Sequence, residues 1–421
     1  MRILIISNLY PPDVRGGFEL ACRNVAAGLS DRKHDVRVLT TFAPIASGDD
    51  PAWVHRRLTS DTFSPPRPLL SPLTDPRRAY DAGCSQYGNT AALLKEIQVF
   101  GPDIVYLWHI WGIGGLGLLD LLAQLQIPWL LHLMDAVPTY LLAGVGALPV
   151  SLFAGAERAL VARAPVISMS EHLLAEIVET TGIHFDHRPE VIPGWVDTRE
   201  LRQRRRYGVG GQLCFVAVGA FSPQKGTDLI VEAVARLVGE GRTNFTVDIY
   251  SLAEPEQWIT LADRLGVLQW VRFRRALPQK LFLEALPNYD ALLFPTAARE
   301  PFGFLPIEAA ACGVVPIMTR NAGAAERLAD GVHAMKIDRT VDDLAAAIRS
   351  LLNGEVDMPA LGRRAARYIR RELSFERCLD AIERFLYRQV RPWDSRRAAD
   401  PRLVATLFAK HELGHYLTLN P

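Results

Sequence analysis

Two short segments in the second half of the chain combine residue types that suit an anionic, hydroxyl-rich ligand. Residues 219–226 form a turn between an apolar run and a helix-like run, and Lys225 near its end is placed to neutralise a diphosphate. Further along, Glu300 stands just before the start of a helix and Glu308 lies one turn inside it. Carboxylates accept hydrogen bonds from hydroxyl groups, and free backbone N–H groups at a helix start attract anions. Taken singly, each residue is also compatible with a solvated surface role, so the prediction rests on their combination.

The elements that must position these residues alternate between strand and helix signals along the chain. Apolar runs that predict strands occupy residues 3–6, 36–40, 103–108, 129–133, 165–168, 190–193, 213–218, 245–250, 271–274, 291–295 and 315–319. Helices are predicted between the first two strands and over residues 227–238, 340–353, 358–371 and 375–390. Continuous apolar strands separated by helices are typical of parallel sheets covered on both faces. Residues 44–80, rich in proline, arginine and serine, indicate a long excursion from the first sheet.

Length and a break in composition predict two domains. The chain has 421 residues, which fits two α/β domains of roughly 200 residues better than one core. Residues 201–212, rich in arginine and glycine, are predicted to be a linker between an N-terminal domain over 1–200 and a C-terminal domain over 213–390. A tail covers 391–421, and packing back onto the N-terminal domain is one option for it. The expected fold class is α/β, with two doubly wound Rossmann-like domains facing each other across a cleft.

Composition and charge exclude several functional classes. The chain is 49% hydrophobic and 22% charged, as expected for a globular protein, and its net charge of +1 gives no general attraction to nucleic acid. The longest apolar stretch, residues 113–134, contains polar residues and a proline and is not predicted to span a bilayer. Peripheral contact with a membrane surface stays open. The five cysteines are isolated in the sequence, which predicts reduced thiols and a cytoplasmic protein.

Together these motifs resemble the large family of retaining GT-B glycosyltransferases, of the glycosyltransferase family 4 type, which includes bacterial glycogen synthases and mannosyltransferases. The most specific part is the Glu-x7-Glu segment from Glu300 to Glu308, with Pro301-Phe302-Gly303 inside it. The resemblance covers nearly the whole chain. Its supporting motifs are Pro11-Pro12, Gly16-Gly17, Lys33-His34-Asp35-Val36, Val191-Ile192-Pro193, Val196-Asp197 and Asn321-Ala322-Gly323 with Glu326.

The resemblance implies a metal-independent hexosyltransferase that moves a sugar from a nucleotide-diphosphate sugar to an acceptor hydroxyl, with retention of anomeric configuration. In this role Lys225 would bind the diphosphate, Glu300 the donor-sugar hydroxyls and Glu308 the ribose. The donor would be a UDP- or GDP-sugar, and no cofactor or metal is implied. The acceptor would be a glycan, a lipid-linked molecule or a small molecule, which points to polysaccharide or glycoconjugate biosynthesis.

The resemblance also implies donor contacts made by the backbone. The N–H groups of Phe302, Gly303 and Leu305 would face the sugar and the phosphate. The loop at Gly16 and Gly17 would close over the diphosphate from the other domain.

The chain departs from the family pattern at two charged positions. Ala220 stands where the family usually has an arginine, so one cation for the leaving diphosphate is missing or comes from elsewhere. Met134 stands where the family often has a histidine, beside Asp135 at the end of a predicted strand. His109, at the end of the preceding strand, is a second candidate for contacting the sugar. We therefore expect His109 and Asp135 to join Lys225 and Glu300 as catalytic residues.

Three alternatives remain open. The losses at Ala220 and Met134 favour a non-catalytic protein that binds sugar nucleotides. Residues 112–117 fit G-x-G-x-x-G after a strand, which is typical of an NAD-dependent oxidoreductase but also of a glycine-rich start to a packed helix. Residues 411–415 fit the H-E-x-x-H zinc pattern, but no third ligand follows and Gly414 weakens the helix.

Overall fold

The chain divides into two compact units in a computed structural model that describes residues 1–42, 50–60, 82–84, 86–146, 156–199, 201–203, 206–297 and 300–409. The first unit consists of Met1–Met169, Leu173–Ile192 and Leu379–Pro421. The second consists of Ser170–His172 and Pro193–Cys378. The borders of these units lie earlier in the chain than the boundaries at 200 and 390 that the sequence suggested.

The first unit is built on a seven-stranded parallel sheet in the order β3-β2-β1-β4-β5-β6-β7. Its strands are β1 Arg2–Ser7, β2 Asp35–Thr41, β3 Val54–Leu58, β4 Ile104–His109, β5 Trp129–Leu133, β6 Val166–Ser168 and β7 Glu190–Val191. Its helices are α1 Gly17–Asp31, α2 Tyr87–Phe100, α3 Gly115–Leu125, α4 Val137–Gly146, α5 Glu157–Ala162 and α6 Glu171–Thr181. The central strands are largely apolar because helices cover both faces of the sheet, and Ile3–Ile6 are fully buried.

The prediction that residues 44–80 leave the first sheet is wrong for residues 54–58. Residues Val54–Leu58 form β3, which pairs in parallel with β2 at the edge of the first sheet. Its sequence, Val-His-Arg-Arg-Leu, buries only the first and last residues. An edge strand needs little apolar surface, so the run was too polar to be recognised as a strand.

The second unit repeats the same strand order on six strands, β10-β9-β8-β11-β12-β13, all parallel. They are β8 Leu213–Val218, β9 Phe245–Ser251, β10 Val271–Arg275, β11 Ala291–Phe294, β12 Val315–Thr319 and β13 Met335–Ile337. The helices are α7 Thr227–Gly239, α8 Glu256–Arg264, α9 Gln279–Ala285, α10 Phe304–Cys312, α11 Val341–Leu352 and α12 Met358–Glu372. The prediction of two doubly wound parallel sheets is therefore confirmed.

Helix α13, Phe375–Gln389, begins in the second unit and continues in the first from Leu379. The chain that follows packs on the first unit: the Trp393 indole N–H donates to the Pro102 carbonyl at 2.9 Å. The Gln98 side-chain amide donates to the Ala398 carbonyl at 2.6 Å. Within the residues described, no helix is long and apolar enough to cross a bilayer.

Candidate active site

The lysine turn connects β8 to α7 and is shaped by two glycines. Gly226 has φ +76°, and a Cβ there would lie 2.4 Å from the Pro295 carbonyl oxygen, so the turn packs directly on the end of β11. At Gly219 a Cβ would lie 3.2 Å from Cγ of Lys225, so the lysine stem crosses this glycine. The Ser222 hydroxyl accepts a hydrogen bond from the Lys225 backbone N–H at 3.3 Å. The turn thus places Lys225 where β8 and β11 end.

The structure brings Lys225 and Glu300 into direct contact. Nζ of Lys225 lies 2.6 Å from Oε2 of Glu300, and the Thr296 hydroxyl donates to the same oxygen at 3.3 Å. Because β8 and β11 are neighbours in the sheet, the loops that follow them meet at one edge. The Glu300 side chain is 15% exposed and that of Lys225 39%. The result is a preformed charge pair whose cation reaches solvent.

A glycine-rich turn supports the backbone that carries Glu300. Gly323 N–H donates to the Glu300 carbonyl at 3.1 Å, and Ala324 N–H donates to the Phe302 carbonyl at 2.7 Å. A Cβ on Gly323 would lie 2.2 Å from the Pro301 carbonyl oxygen, so no larger residue fits this position without a shift of the backbone. The two segments therefore behave as one rigid support.

The segment before α10 presents backbone rather than side chains. Phe302 is 2% exposed, so its ring belongs to the core and only its main chain can serve a ligand. Gly303 has φ +88° and caps α10. N–H groups in the first turn of a helix have no partner inside the helix, and Leu305 belongs to that turn. Trp195 packs on Phe304 with ring centroids 6.2 Å apart, which fixes this turn from the side.

Glu308 occupies a different environment from Glu300. The Gln279 side-chain amide donates to Oε1 of Glu308 at 3.1 Å. Among the described residues, no hydrogen bond or ion pair joins Glu308 to Lys225. Burial raises the pKa of Glu308 to about 7. Sequence reasoning missed Gln279, because only the tertiary packing of α9 beside α10 brings it there. The two glutamates of the motif are therefore a paired anion and a buried, weakly acidic group.

His109 and Asp135 lie at the carboxyl ends of β4 and β5 in the first unit. His109 is 5% exposed and stacks on Phe18 with ring centroids 4.7 Å apart. Its Nδ1 has no hydrogen-bond partner in the part of the chain that is described. Burial lowers the pKa of His109 to about 4, although the negative charge of Asp135 opposes this shift. Oδ1 of Asp135 accepts from the Ala136 N–H at 2.7 Å and from the Tyr140 hydroxyl at 3.2 Å.

The glycine pair before α1 is held by a buried carboxylate. Glu19 accepts from the N–H groups of Arg15 and Gly16, each at 3.0 Å, and is itself fully buried. Burial raises the pKa of Glu19. Gly16 and Gly17 are exposed, so their backbone is accessible to a ligand.

The G-x-G-x-x-G run has a packing role, and the H-E-x-x-H run lies outside the described residues. A Cβ on Gly115, inside the G-x-G-x-x-G run, would lie 2.7 Å from the Leu141 side chain and 2.8 Å from the Ile110 carbonyl oxygen. This glycine therefore serves the close packing of α3. The H-E-x-x-H residues 411–415 lie outside the described part of the chain. Within that part, no group of three or more histidine, cysteine or acidic residues could hold a metal ion.

Two Rossmann-like units, one of which carries a lysine–glutamate pair beside a helix start, define a GT-B type of α/β protein. Residues 15–200 match the family model described as Glycosyltransferase Family 4, and residues 200–371 match the model described as Glycosyl transferases group 1. The chain therefore belongs to the glycosyltransferases of the family 4 type, as its motifs predicted.

Curated relatives cover the chain to different extents. It is 28% identical over 240 residues to a D-inositol 3-phosphate glycosyltransferase of Geodermatophilus obscurus, which is 52% of each chain. It is 28% identical over 392 residues to a glycogen synthase of Mycobacterium tuberculosis, which is 89% of this chain and 90% of the relative. The chain thus spans about half the length of the first relative and most of the second.

The fold has a close counterpart among solved structures. Sucrose-phosphate synthase from Thermosynechococcus elongatus superposes with a TM-score of 0.70, over 92% of this chain and 98% of that chain. The two sequences are 18% identical, so this likeness concerns the fold alone.

Proposed function

We propose that this protein transfers a sugar from a nucleotide-diphosphate sugar to an acceptor hydroxyl, with retention of configuration and without a metal ion. The observation that supports this most is the Lys225–Glu300 pair, 2.6 Å apart beside the start of α10. A lysine, a carboxylate and free helix N–H groups offer together what a sugar diphosphate needs: positive charge for the phosphates and an acceptor for the sugar hydroxyls.

Each residue at this edge has a distinct task in the proposal. Lys225 exchanges its contact with Glu300 for the diphosphate, and Glu300 then accepts hydrogen bonds from the sugar hydroxyls. Glu308 accepts from the ribose hydroxyls when it is ionised. Backbone N–H groups of Phe302, Gly303 and Leu305 face the sugar and phosphate.

The chemical step breaks the bond between the anomeric carbon and the diphosphate oxygen. Positive charge develops on the sugar ring while negative charge develops on the leaving phosphate, which Lys225 and the helix start stabilise. The acceptor hydroxyl bonds to the anomeric carbon on the face that the diphosphate leaves, and its proton passes to a phosphate oxygen. Configuration is thereby retained without a protein nucleophile. Ala220 replaces a usual arginine, and unless another residue supplies that cation the barrier is about 3 kcal/mol higher.

The first unit contributes uncharged and backbone groups in this proposal. His109, neutral because burial lowers its pKa to about 4, and Asp135 contact the sugar or the acceptor. The backbone at Gly16 and Gly17 contacts the diphosphate.

The relatives' names guide the choice of substrates. One is named for an inositol phosphate and the other for a polysaccharide, so we propose a glycan, a lipid-linked molecule or a small molecule as acceptor and a UDP- or GDP-sugar as donor. We place the reaction in the cytoplasm, in polysaccharide or glycoconjugate biosynthesis, where five free cysteines remain reduced. Peripheral membrane contact would accompany a lipid-linked acceptor.

A second candidate is a protein that binds sugar nucleotides without transferring the sugar. The alanine at position 220 and the methionine at position 134, which remove two polar groups, favour it. Binding without turnover is its signature.

The experiment combines a binding panel with product analysis. UDP-, GDP- and ADP-sugars are ranked by thermal shift, and the best donor is incubated with and without a hydroxyl acceptor in the presence of EDTA. We expect release of the nucleotide diphosphate and, by NMR, a product with the donor's anomeric configuration. An inverted product would contradict retention, and loss of turnover with EDTA would contradict metal independence. Saturable binding with neither transfer nor hydrolysis would favour the second candidate.

A further inference from the structure

A cavity lies in the first unit, at the edge of the sheet opposite to His109 and Asp135. It has a volume of about 520 Å³, and its lining residues include the end of α3, the beginning of β5, the end of α5 and the chain that follows α13. Trp129 is the first residue of β5, whereas Asp135 follows its last residue, so roughly 13 Å of strand separates the two edges. Its volume falls within the range of about 300–1,000 Å³ typical of pockets for small molecules.

Two arginines and a histidine without side-chain partners among the described residues line this cavity. Arg163, His187 and Arg391 line it and are exposed. The hydrogen bonds and ion pairs found among the described residues include none from these three side chains. Guanidinium groups bind carboxylates and phosphates through paired N–H donors, so two unpaired arginines at one cavity suit an anion.

Of the other polar side chains that line the cavity, the carboxylate is already paired with an arginine and Gln126 offers an amide donor. Asp394 is the carboxylate that lines it, and Arg396 holds this group at 2.8 Å. Arg397 donates to the side-chain oxygen of Gln126 at 2.7 Å, which leaves the amide NH₂ of Gln126 to donate to a ligand. The site therefore presents donors to an acceptor-rich molecule.

Two indole rings give the cavity an apolar wall. Trp129 is 8% exposed, and Trp393 is half-buried with its N–H fixed on the Pro102 carbonyl. Sugar rings pack their C–H faces on aromatic rings while their hydroxyls reach polar groups around them. A bare anion would not use this wall, whereas a sugar that carries an anionic group would use both the wall and the arginines.

We propose that this cavity binds a sugar that carries a phosphate or carboxylate group, as a holding site away from the transfer reaction. Arg163 and Arg391 bind the anionic group, Gln126 donates to a ring hydroxyl or ring oxygen, and Trp393 packs on the sugar ring. The site depends on none of the residues assigned to the donor.

The test measures binding rather than turnover. Glucose 6-phosphate and tri-galacturonate are titrated by saturation-transfer NMR, with maltotriose, inorganic phosphate and UMP as comparison ligands. All titrations use the full chain, and the variant described below separates binding in this cavity from binding at the proposed donor site. We expect the two anionic sugars to bind at least tenfold more tightly than the comparison ligands.

The variant that addresses the site is Arg163→Gln combined with Arg391→Gln. Both side chains are exposed and unpaired, so the thermal unfolding temperature should not change, while anionic-sugar binding weakens at least tenfold. Arg384→Gln, an exposed arginine on α13 that does not line the cavity, is the matched control and should bind as before.

Other outcomes would overturn the proposal. Equal affinity for inorganic phosphate would leave an anion site without a sugar, and equal affinity for UMP would indicate a nucleotide. Binding of maltotriose as tight as that of tri-galacturonate would show that the arginines are not used. None of these results bears on sugar transfer, because that reaction is measured separately.

Discussion

The two sheets share one strand order, yet the side chains at their carboxyl-terminal edges differ in charge. In the second unit a lysine and a glutamate meet at 2.6 Å, so both charges are present and paired before any ligand arrives. In the first unit His109 is kept neutral in an apolar surrounding against Phe18. A paired cation can be handed to a diphosphate, whereas a neutral imidazole can only donate or accept a hydrogen bond. The loops, and not the strand order, decide which chemistry an edge performs.

The largest effect is expected from removing the cation of the charged edge. Lys225→Ala should lower kcat about a hundredfold, because the leaving diphosphate loses a charge-assisted contact worth about 3 kcal/mol. Steady-state kinetics with the best donor measure this. Lys95→Ala, an exposed lysine on α2, is the control and should retain full activity.

A double-mutant cycle with Glu300→Gln sharpens this result. If both residues serve one ligand, the double variant should lose less activity than the product of the single losses. Unchanged turnover in Lys225→Ala would remove the lysine from the mechanism.

The next effect concerns the support of the charged edge. Gly323→Ala forces a Cβ to 2.2 Å from a backbone oxygen and should lower the free energy of unfolding by about 3 kcal/mol. Urea denaturation measures it. At Gly239, the last residue of α7, a Cβ meets no described atom within 4 Å, so Gly239→Ala should change stability by less than about 0.5 kcal/mol. Equal effects of the two substitutions would show that the backbone around Gly323 shifts to accommodate the added methyl group.

At the neutral edge, acid should destabilise the protein through His109. Its pKa falls from 6.5 in the unfolded chain to about 4 in the folded state, so the unfolded chain takes up a proton that the folded protein resists. The contribution of His109 to stability is therefore complete above pH 6.5 and is lost as the pH falls toward 4, by about 2 kcal/mol at pH 4.5.

Urea denaturation near pH 7 and near pH 4.5 checks this for the wild type and for His109→Gln. The variant should lose about 2 kcal/mol less between the two conditions. Comparing the two proteins cancels the other titrating groups, including buried His132. Identical losses would mean that His109 is already charged in the folded state.

The smallest effect is expected at Glu308, whose carboxyl group is neither permanently charged like the Lys225–Glu300 pair nor neutral like His109. With a pKa raised to about 7 by burial, the group is mostly protonated near pH 6 and ionised near pH 8. If the carboxylate accepts from the ribose, the nucleotide Kd should be roughly tenfold weaker near pH 6 than near pH 8. Calorimetric titrations with UDP and GDP measure it. Glu308→Gln should flatten the dependence, and a persistent slope in that variant would assign it to another group.

Much of this arrangement could be predicted from the sequence, because it depends on local patterns. Apolar runs indicated parallel strands, and the motif residues follow strands that end at one edge, so the approach of Lys225 and Glu300 could be anticipated. β3 was missed because an edge strand buries few residues. The partnership of Gln279 with Glu308 left no trace in the sequence, since it arises only when α9 packs beside α10.

The sequence also did not predict that His109 is neutral. A strand-end histidine is compatible with solvent or with burial, and the folded structure decides between them by burying His109 against Phe18. The border of the first unit at Leu379 likewise falls inside one continuous amphipathic helix, where the periodicity gives no signal.

That shared helix has a consequence for how the protein is made. The first unit is interrupted in the chain by the second, and its closing contacts come late: Glu383 binds Arg32 at 2.7 Å and His34 at 2.6 Å. A nascent chain leaving the ribosome therefore completes the second unit before the first can be finished. A chain that ends near residue 378 would contain the whole second unit, but its first unit would lack the contacts of Glu383 with Arg32 and His34.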